Sequence, residues 1–234
     1  MTISETTRLQ YLTAMNVTVW QSRYSPVSVI SPTIAEQNTD LPNIILKESV
    51  TDSWEKCRTD VSNCQLCSLC TTRTQTVFGE GNENADWLFI GEAPGQHEDE
   101  QGRPFVGEAG QLLTEMCRAM KLTREEIFIA NILKCRPPKN RDPHADEIKQ
   151  CRDYLLRQIA LIQPKIIIAV GRIAAQTLLE TTEKIGKLRG NVHQFENIPL
   201  IAIYHPSYLL RSLTEKRKAW QDLQFALQTF KQLH

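Results

Sequence analysis

Four short apolar runs constrain the fold of this chain more than any other feature of its 234 residues. They cover residues 87–90, 127–130, 165–170 and 200–204. Because each run is apolar throughout, we predict strands buried on both faces of a sheet. The segments 106–120, 145–162, 172–179 and 216–232 are predicted helices. This alternation predicts an α/β fold with three α/β/α layers and a central four-stranded, mainly parallel sheet.

Polar or glycine-containing segments follow each predicted strand. In chain order they are Gly91-Glu92-Ala93-Pro94-Gly95, Asn131, Gly171-Arg172 and His205-Pro206-Ser207. Ligands of open parallel sheets bind beyond the carboxyl ends of the strands. We therefore expect these segments to meet at one edge of the sheet and to form a binding crevice there.

The charge balance and the cysteines limit the class of protein. Lys plus Arg and Asp plus Glu each number 27, so the formal net charge is zero, although a local basic groove needs only a few cations. We find no run of about 18 apolar residues and no signal peptide, and therefore expect a cytoplasmic protein without a membrane span. Structural disulfides are rare in that compartment, so the seven cysteines require another explanation.

Four of these cysteines have the spacing of a metal site. Cys64 and Cys67 form a Cys-x2-Cys pair, and Cys135 and Cys151 lie downstream with 15 residues between them. Four thiolates suit zinc or a 4Fe-4S cluster, and the spacing alone leaves both open. Cys70 is ambiguous: it could replace one of these ligands, but as an additional ligand it would exceed the four required.

The remaining two cysteines, Cys57 and Cys117, are interpreted as core residues. Cys117 shares a predicted helical face with Leu113, Met116 and Met120. Free cysteine commonly packs as a small apolar side chain in such positions.

Ordered motifs extend from about residue 64 to 211. They are Cys-Gln-Leu-Cys at 64–67, Gly-Glu-Ala-Pro-Gly at 91–95, Glu98-Asp99, Gly-Arg-Pro-Phe-Val-Gly at 102–107, Ala-Gly-Gln-Leu-Leu at 109–113, Asn131, Lys-Cys-Arg-Pro-Pro at 134–138, Asn140-Arg141, Cys151, Lys-Leu-Arg-Gly at 187–190 and His-Pro-Ser-Tyr-Leu-Leu-Arg at 205–211. Together they resemble the family 4 uracil-DNA glycosylases, the iron–sulfur members of the uracil-DNA glycosylase superfamily. The resemblance implies hydrolysis of the N-glycosidic bond of uracil in DNA, the first step of base excision repair. It also implies a 4Fe-4S cluster on Cys64, Cys67, Cys135 and Cys151.

The resemblance also implies a base pocket. Phe105 matches the residue that stacks on the extruded base, an interaction worth roughly 1–3 kcal/mol per base. Asn131 matches the amide that recognises the edge of uracil, and His205 is placed to donate a hydrogen bond to a uracil carbonyl as negative charge develops there. The backbone around the base is supplied by Ala93, Pro94 and Gly95.

The residue that orients the attacking water is less defined. Some relatives in the superfamily carry an aspartate at the position of Ala93, which offers only backbone here. A carboxylate must come from elsewhere, or leaving-group stabilisation must suffice. Glu92, Glu98 and Asp99 are the candidates, and we favour Glu98 slightly.

Cations near the implied pocket are candidates for DNA contacts. Lys187 and Arg189, in a segment bounded by glycines, form a possible phosphate clamp. Arg211 is a further candidate, as are Lys139 and Arg141 in the proline-rich loop. Leu209 and Leu210 could insert into the gap left by the flipped base or could be core residues.

Residues 1–51 lie outside the family match and form a predicted N-terminal extension and linker, ahead of a catalytic domain at residues 52–234. A stretch around Trp20 looks like the N-terminal peptide of the bacterial clamp-loader psi subunit. We hypothesise that it tethers the protein to the replicative clamp loader. The alternative is a helix that packs on the domain.

Two other functions remain open on the sequence alone. One is a DNA-binding adaptor without activity, and the other is an interaction module tied to a polymerase. The combination of Phe105, Asn131 and His205 favours the glycosylase, because a pure binder has no need of all three. We expect a monomer that acts on uracil-containing DNA, with the preference for single or double strands undefined.

Overall fold

The computed structural model describes residues 53–233, so the predicted N-terminal extension lies outside the described residues. The strands are β1 (Glu80–Gly81), β2 (Trp87–Gly91), β3 (Ile127–Asn131), β4 (Ile166–Val170), β5 (His193–Phe195) and β6 (Ile198–Ile203). The helices are α1 (Trp54–Ser62), α2 (Gln96–Gln101), α3 (Glu108–Ala119), α4 (Ala145–Ile162), α5 (Arg172–Leu178), α6 (Ile185–Leu188), α7 (Pro206–Arg211) and α8 (Lys216–Gln232). Short 3-10 helices lie at Ser68–Thr71, Pro138–Asn140 and Leu213–Glu215.

Four parallel strands form the centre of one mixed sheet in the order β3-β2-β4-β6. At the two sides, β1 pairs antiparallel with β3 and β5 pairs antiparallel with β6. The predicted fold class and its parallel centre are confirmed, whereas the strand number is six instead of four. The edge strands escape prediction because β1 has two residues, β5 has three, and neither carries an apolar run.

Both faces of the central strands are covered, as their uniformly apolar sequences predict. Leu88 and Ile90 of β2 pack in a core layer with α1, α4 and α5. Trp87 and Phe89 of the same strand pack on the opposite side with α3, α7 and α8. The arrangement is a three-layer α/β/α sandwich. Within the described residues, no helix has the length and apolar character needed to cross a membrane.

The order of the strands positions a crevice. From the central β2 the chain moves outward to β3, crosses back to β4 on the other side, and continues to β6. The helices after β2 and β4 pack on opposite faces of the sheet. Such a reversal opens a crevice between the carboxyl ends of the two strands, where ligands of doubly wound folds bind.

Candidate active site

A cavity of about 950 Å³ opens at the carboxyl ends of the central strands. This volume lies within the range of roughly 300–1,000 Å³ that ligand sites occupy. The lining includes Glu92 after β2, Asn131 at the end of β3, His205 after β6, and Phe105 between α2 and α3. We call these four the pocket residues. The structure thus brings together the segments predicted to meet, and the lining also includes Ala93, Pro94, Gly95, Glu98 and Arg211.

Asn131 brings an unpaired oxygen to this cavity. Its side chain is buried, and its Oδ1 has no hydrogen-bond partner among the described residues. Because a buried polar atom without a partner is unfavourable, this oxygen marks a position suited to a donor on a ligand. Gly91 leaves the necessary space, since a Cβ atom there would overlap Oδ1 and lie 2.7 Å from the Phe105 ring.

Phe105 forms an aromatic wall of the cavity. Its ring lies next to that of His205, with centroids 5.7 Å apart and planes inclined by 31°. The backbone of Phe105 has φ 53°, a left-handed conformation that is uncommon for a bulky side chain. The turn at Phe105 also explains why α3 begins at Glu108 and not at residue 106 as the sequence predicts.

The hydrogen bonds of His205 define which ring nitrogen carries a proton. Its Nδ1 accepts a hydrogen bond from the backbone N–H of Ser207 at 3.1 Å and lies 2.7 Å from the Ser207 hydroxyl. Burial lowers the pKa of His205 to about 4, and the charge of Arg211 adds to this effect while Glu98 opposes it. The imidazole is therefore neutral near pH 7 and carries its proton on Nε2. His205 also caps the N-terminus of α7, so a structural role coexists with its place in the cavity.

Glu92 is a carboxyl group whose ionisation is shifted towards neutral pH. Burial raises the pKa of Glu92 to about 7; the nearby charge of Asp142 adds to the shift and Arg172 opposes it. Its main chain is held firmly, since the Glu92 carbonyl accepts a hydrogen bond of 3.0 Å from the Leu133 N–H. A carboxyl group with a pKa close to the working pH suits general base catalysis.

Glu98 and Asp99 use their carboxylates for backbone hydrogen bonds. The Oε1 atom of Glu98 accepts from the N–H groups of Val106 and Gly107, at 2.9 and 3.1 Å. Asp99 is buried, and both of its oxygens accept from the Thr74 N–H. These contacts hold adjacent loops and speak against the preference for Glu98 as the group that orients water.

The four predicted metal ligands Cys64, Cys67, Cys135 and Cys151, here called the cysteine region, belong to one part of the core. Cys135 and Cys151 are buried in the layer that contains α4, and Cys64 and Cys67 pack against it. Burial is the main cause that raises the pKa of Cys151 to about 11; Lys134 opposes the shift, and the neighbouring thiols Cys135 and Cys64 add to it. The thiols thus share one electrostatic environment.

Two nitrogen donors contact the sulfur atoms of the cysteine region. Arg73 donates from Nη1 to the Cys135 sulfur at 3.0 Å and from Nη2 to the Cys64 carbonyl at 2.8 Å. The Lys134 N–H donates to the Cys151 sulfur at 3.3 Å. Across residues 53–233, no three or more Cys, His, Asp or Glu side chains form a group that could hold a metal ion.

The other cysteines differ in their surroundings. Cys57 and Cys117 are buried in the two core layers, which confirms their interpretation as core residues. Leu113, Met116 and Met120 are buried in the same layer as Cys117. Cys70 is half-buried and lies near Cys67, whose pKa it helps to raise after the larger effect of burial.

Lys134 is a buried cation that joins the cysteine region to the cavity. Its ammonium donates to the Asn131 carbonyl at 2.9 Å and to Oε1 of Gln158 at 2.5 Å. Gln158 in turn donates to the Phe78 carbonyl at 2.8 Å. Lys134 belongs to the Lys-Cys-Arg-Pro-Pro motif, but the motif predicts no role for it. Its position directly after an apolar run was the available signal, because lysine is almost never fully buried without partners.

Two predicted DNA contacts are not supported by the structure. The guanidinium of Arg189 is bound to both carboxylate oxygens of the buried Asp222, at 2.6 and 2.8 Å, and stacks over the Tyr204 ring. It holds α8 in place, and its side chain is only 11% exposed, which speaks against a role as a phosphate clamp. Leu209 is 1% exposed and packs in the core, whereas its neighbour Leu210 is 38% exposed. Of the two leucines, only Leu210 is available for insertion into DNA.

The remaining candidate cations differ in how firmly they are bound. Arg141 pairs with the buried Glu147 through both guanidinium ends, so it supports the start of α4. Lys187 forms only an exposed pair with Glu183, which is a weak interaction. Arg211 lines the cavity beside His205, and no hydrogen bond or ion pair engages it within residues 53–233. Lys187 and Arg211 therefore remain candidates.

Comparison with known proteins places this geometry in a family context. The sequence model of the uracil DNA glycosylase superfamily matches residues 78–224. The chain is 47% identical over 160 residues to the type-4 uracil-DNA glycosylase of Archaeoglobus fulgidus, which covers 64% of this chain and 80% of that protein. It is 45% identical over 168 residues to the type-4 enzyme of Sulfurisphaera tokodaii, with 68% and 76% covered, and 42% identical over 170 residues to that of Thermotoga maritima, with 71% and 88% covered.

Proposed function

The chain belongs to the uracil DNA glycosylase superfamily, and on this premise we propose that it is a monofunctional uracil-DNA glycosylase. It hydrolyses the N-glycosidic bond between uracil and deoxyribose, leaves an abasic site in the DNA and so begins base excision repair. One observation carries the proposal: the unpaired Asn131 Oδ1, the Phe105 ring and a neutral His205 line a single cavity. A DNA-binding adaptor would gain nothing from this combination.

Recognition begins with a base that has left the DNA stack. Extrusion costs a few kcal/mol, and the Phe105 ring replaces the lost stacking. The Asn131 Oδ1 accepts a hydrogen bond from the uracil N3–H, and the same amide donates from Nδ2 to a neighbouring carbonyl. Cytosine has no proton on N3 and carries an amino group at C4, so it would leave Oδ1 buried and unpaired. This mismatch gives the pocket its preference for uracil.

His205 stabilises the leaving group. When the C1′–N1 bond breaks, its electron pair leaves with uracil, and negative charge develops on the adjacent carbonyl oxygen. The Nε2–H of the neutral His205 donates to that oxygen, because Ser207 already occupies Nδ1. A donor that acts mainly in the transition state typically contributes about 10²–10³ in kcat.

Glu92 orients the water. Water attacks C1′ of the oxocarbenium-like sugar, its oxygen forms the new bond, and the released proton passes to the Glu92 carboxylate. The raised pKa of Glu92 keeps this proton transfer possible near neutral pH. We assign this role to Glu92 in preference to Glu98, whose carboxylate accepts two backbone hydrogen bonds. Ala93 contributes backbone only.

Cys64, Cys67, Cys135 and Cys151 are the proposed ligands of a 4Fe-4S cluster. Four sulfurs from three segments and two N–H donors directed at them fit such a group, since hydrogen bonds to sulfur are a usual feature of its surroundings. Four thiolates would also suit zinc, and the cluster is proposed here because of the similarity to the type-4 enzymes. When bound, the cluster supplies iron–thiolate bonds that tie these segments together. Glycosidic hydrolysis transfers no electrons, so the proposed role is structural.

DNA is the proposed partner, in single- or double-stranded form, and we expect a monomer. The proposed contacts with DNA around the cavity are made by Arg211, Lys187 and the exposed Leu210. We propose a cytoplasmic location, because a reducing compartment suits a chain with seven cysteines. The hypothesis of a clamp-loader contact falls on residues 1–51, outside the described residues, and remains a prediction.

The deciding experiment is a base-release assay. End-labelled oligonucleotides with one uracil, thymine or cytosine are incubated with protein that shows the visible absorbance of an iron–sulfur centre, and alkali then cleaves abasic sites. We expect cleavage only at uracil. Iron-loaded protein that binds DNA but leaves uracil in place would favour the adaptor instead.

A further inference from the structure

The turn at residues 104–107 carries the stacking ring in an unfavourable backbone conformation. Phe105 has a positive φ, which bulky residues rarely adopt. Such a conformation persists only where surrounding contacts over-determine it. The contacts that fix this turn therefore decide where the aromatic wall of the cavity stands.

One side of the turn is held by Arg124. This residue lies between α3 and β3, outside every motif identified in the sequence. Its Nη2 donates to the Pro104 carbonyl at 2.8 Å and its Nη1 to the Phe105 carbonyl at 3.2 Å. The Arg124 side chain is only 19% exposed, and Glu80 lies 3.4 Å from its Nη2. A planar guanidinium can bind two adjacent carbonyls in this way, whereas a lysine ammonium cannot reproduce the geometry.

The opposite side of the turn is held by Glu98, which accepts from the next two N–H groups, those of Val106 and Gly107. Three consecutive peptide units, 104–105 to 106–107, are thus bound by a cation on the carbonyl side and an anion on the N–H side. Gly110 completes the enclosure, because a Cβ atom at this position would overlap the Phe105 carbonyl. The turn has no freedom to relax towards a common backbone conformation.

We propose that Arg124 and Glu98 form a two-sided clamp that positions the Phe105 ring for stacking on the extruded base. The proposal rests on the proposed function and extends it to a residue that lies away from the base. Arg124 is a positioning residue, since it acts through Phe105 and does not line the cavity. Hydrogen bonds to a charged group are about twice as strong as those between neutral groups, which suits a turn that must be held against strain.

The test is a double-mutant cycle on kcat/KM for a uracil-containing oligonucleotide. Arg124→Met in the wild-type background should lower kcat/KM by about 10–100-fold, as expected when a reacting group is misplaced by about an ångström. In a Phe105→Ala background the same change should cost less than about threefold, because the residue through which Arg124 acts is gone. Equal losses in both backgrounds, or no loss in the first, would overturn the proposal.

A matched control is available in Arg103. It also pairs with Glu80 but contacts neither Pro104 nor Phe105 through a hydrogen bond. Arg103→Met should leave kcat/KM within about threefold of the wild type, since exposed ion pairs contribute little. A loss as large as that of Arg124→Met would mean that the Glu80 pairing, and not the clamp, is responsible.

Amide hydrogen exchange tests the clamp without reference to activity. In Arg124→Met, the amides of Val106 and Gly107 should exchange at least about tenfold faster than in the wild type and in Arg103→Met. Unchanged exchange would refute the clamp even if activity fell. If Arg124→Met does not fold, Arg124→Lys retains the charge and should show intermediate values of both quantities. A wild type without uracil excision would refute the proposed function while leaving the exchange result valid.

Substitutions of Glu98 distinguish its role as an anchor of the turn from a role in orienting the attacking water. Glu98→Gln keeps an oxygen that accepts from Val106 and Gly107, whereas Glu98→Ala removes it. If Glu98 is an anchor, the glutamine variant should retain at least about tenfold more kcat/KM than the alanine variant, because hydrogen bonds to a neutral acceptor persist. Equal losses in the two variants would assign the effect to the negative charge and contradict the anchoring role.

Discussion

Lys134 connects the pocket residues to the cysteine region, since its ammonium contacts the Asn131 carbonyl and its N–H contacts the Cys151 sulfur. The two regions are nevertheless held in place by different interactions. Asn131 ends the central strand β3 and His205 directly follows β6, so the hydrogen bonds of the sheet fix both without a ligand. The cysteine region instead gathers thiols from loops and from α4, and burial, with a smaller contribution from the neighbouring thiols, raises the pKa of Cys135 and Cys151 and so disfavours their ionisation. A bound metal centre reverses this, because it deprotonates coordinating thiols. The pocket residues thus depend on the fold alone, whereas we propose that the loops of the cysteine region depend on a bound cluster.

The difference has a consequence for mutagenesis. Changes at the pocket residues should reduce catalysis and leave the fold and the iron content intact. Changes in the cysteine region should reduce the iron content and stability first, and reach the pocket through the Lys134 contact with the Asn131 carbonyl. Measurements of iron content, thermal midpoint and kcat on the same variants test this separation.

The largest effect is expected from Cys135→Ser. Loss of a ligand should abolish the visible absorbance and lower the thermal midpoint by about 10 °C or more, because the binding energy of a structural metal is folding energy. Iron content and a thermal melt provide the measurement. Cys70→Ser, in the same region but outside the proposed ligand set, should retain both properties. Iron retained in Cys135→Ser would mean that the ligand set is wrong.

A smaller and purely catalytic effect is expected from His205→Ala. Its kcat should fall by about 10²–10³ because the donor to the leaving group is lost. DNA affinity and iron content should stay within about twofold of the wild type, since a donor that acts mainly in the transition state adds little to ground-state binding. Single-turnover kinetics and a binding titration measure the two quantities. Comparable losses of turnover and affinity would argue against leaving-group stabilisation.

Glu92 links catalysis to pH. Its ionised form is the proposed base, so activity should rise with pH through about 7, the pKa of Glu92. His205, with a pKa of about 4, remains neutral over that window and adds no second limb. Glu92→Gln should be slow and independent of pH between 5 and 9, on the order of 10²-fold below the wild-type plateau. A pH–rate profile of both proteins is the measurement, and an unchanged rise in Glu92→Gln would assign the base elsewhere.

The raised pKa of Glu92 also predicts that the stability of the fold decreases as pH rises, whereas the activity increases. The folded-state pKa of Glu92 is raised, so the protonated carboxyl stabilises the fold at low pH and this contribution is lost as pH rises through about 7. Glu92→Gln should therefore melt about 2–4 °C above the wild type at pH 8 and show little difference at pH 4.5. Thermal melts at the two pH values check the sign. A lower melting temperature of the variant at pH 8 would contradict it.

The smallest effect on activity is expected at the rim. Leu210→Ala should reduce excision from duplex DNA by about 2–5-fold and leave single-stranded DNA unaffected, because only a duplex leaves a gap to fill. Leu209→Ala is the matched control: it should lower stability by about 2–5 kcal/mol through a core cavity without changing the preference between the two substrates. Equal effects of Leu210→Ala on both substrates would contradict insertion of Leu210 into the gap left by the flipped base.

The sequence predicts the elements that carry strong local signals. The central strands are continuous apolar runs, and the observed bounds of α4 and α8 agree with the predicted ones to the residue. The gathering of Asn131 and His205 at one edge follows from the geometry of parallel strands. Short elements carry no such signal, and α2, α7 and both edge strands were missed for this reason.

The roles of individual charges could not be predicted, because their partners are distant in sequence. From the sequence, Arg189 is a plausible phosphate contact. In the structure its guanidinium is bound to Asp222, 33 residues later in the chain. Glu98 is a plausible base until its two backbone donors are known. Leu209 and Leu210 are chemically equal, and only the orientation of α7 separates the buried one from the exposed one.

Three glycines lie directly behind residues of the cavity, where any side chain would collide with Asn131, Phe105 or His205. At Gly91 and Gly110 the obstacles are Asn131 and Phe105, and at Gly171 a Cβ atom would lie 2.9 Å from that of His205. The close packing at these three positions leaves no room for a side chain behind the pocket residues. New substrate ranges in descendants of this protein should therefore arise through exchange of whole loops or of side chains such as Ala93, and directed evolution would be most productive at those positions.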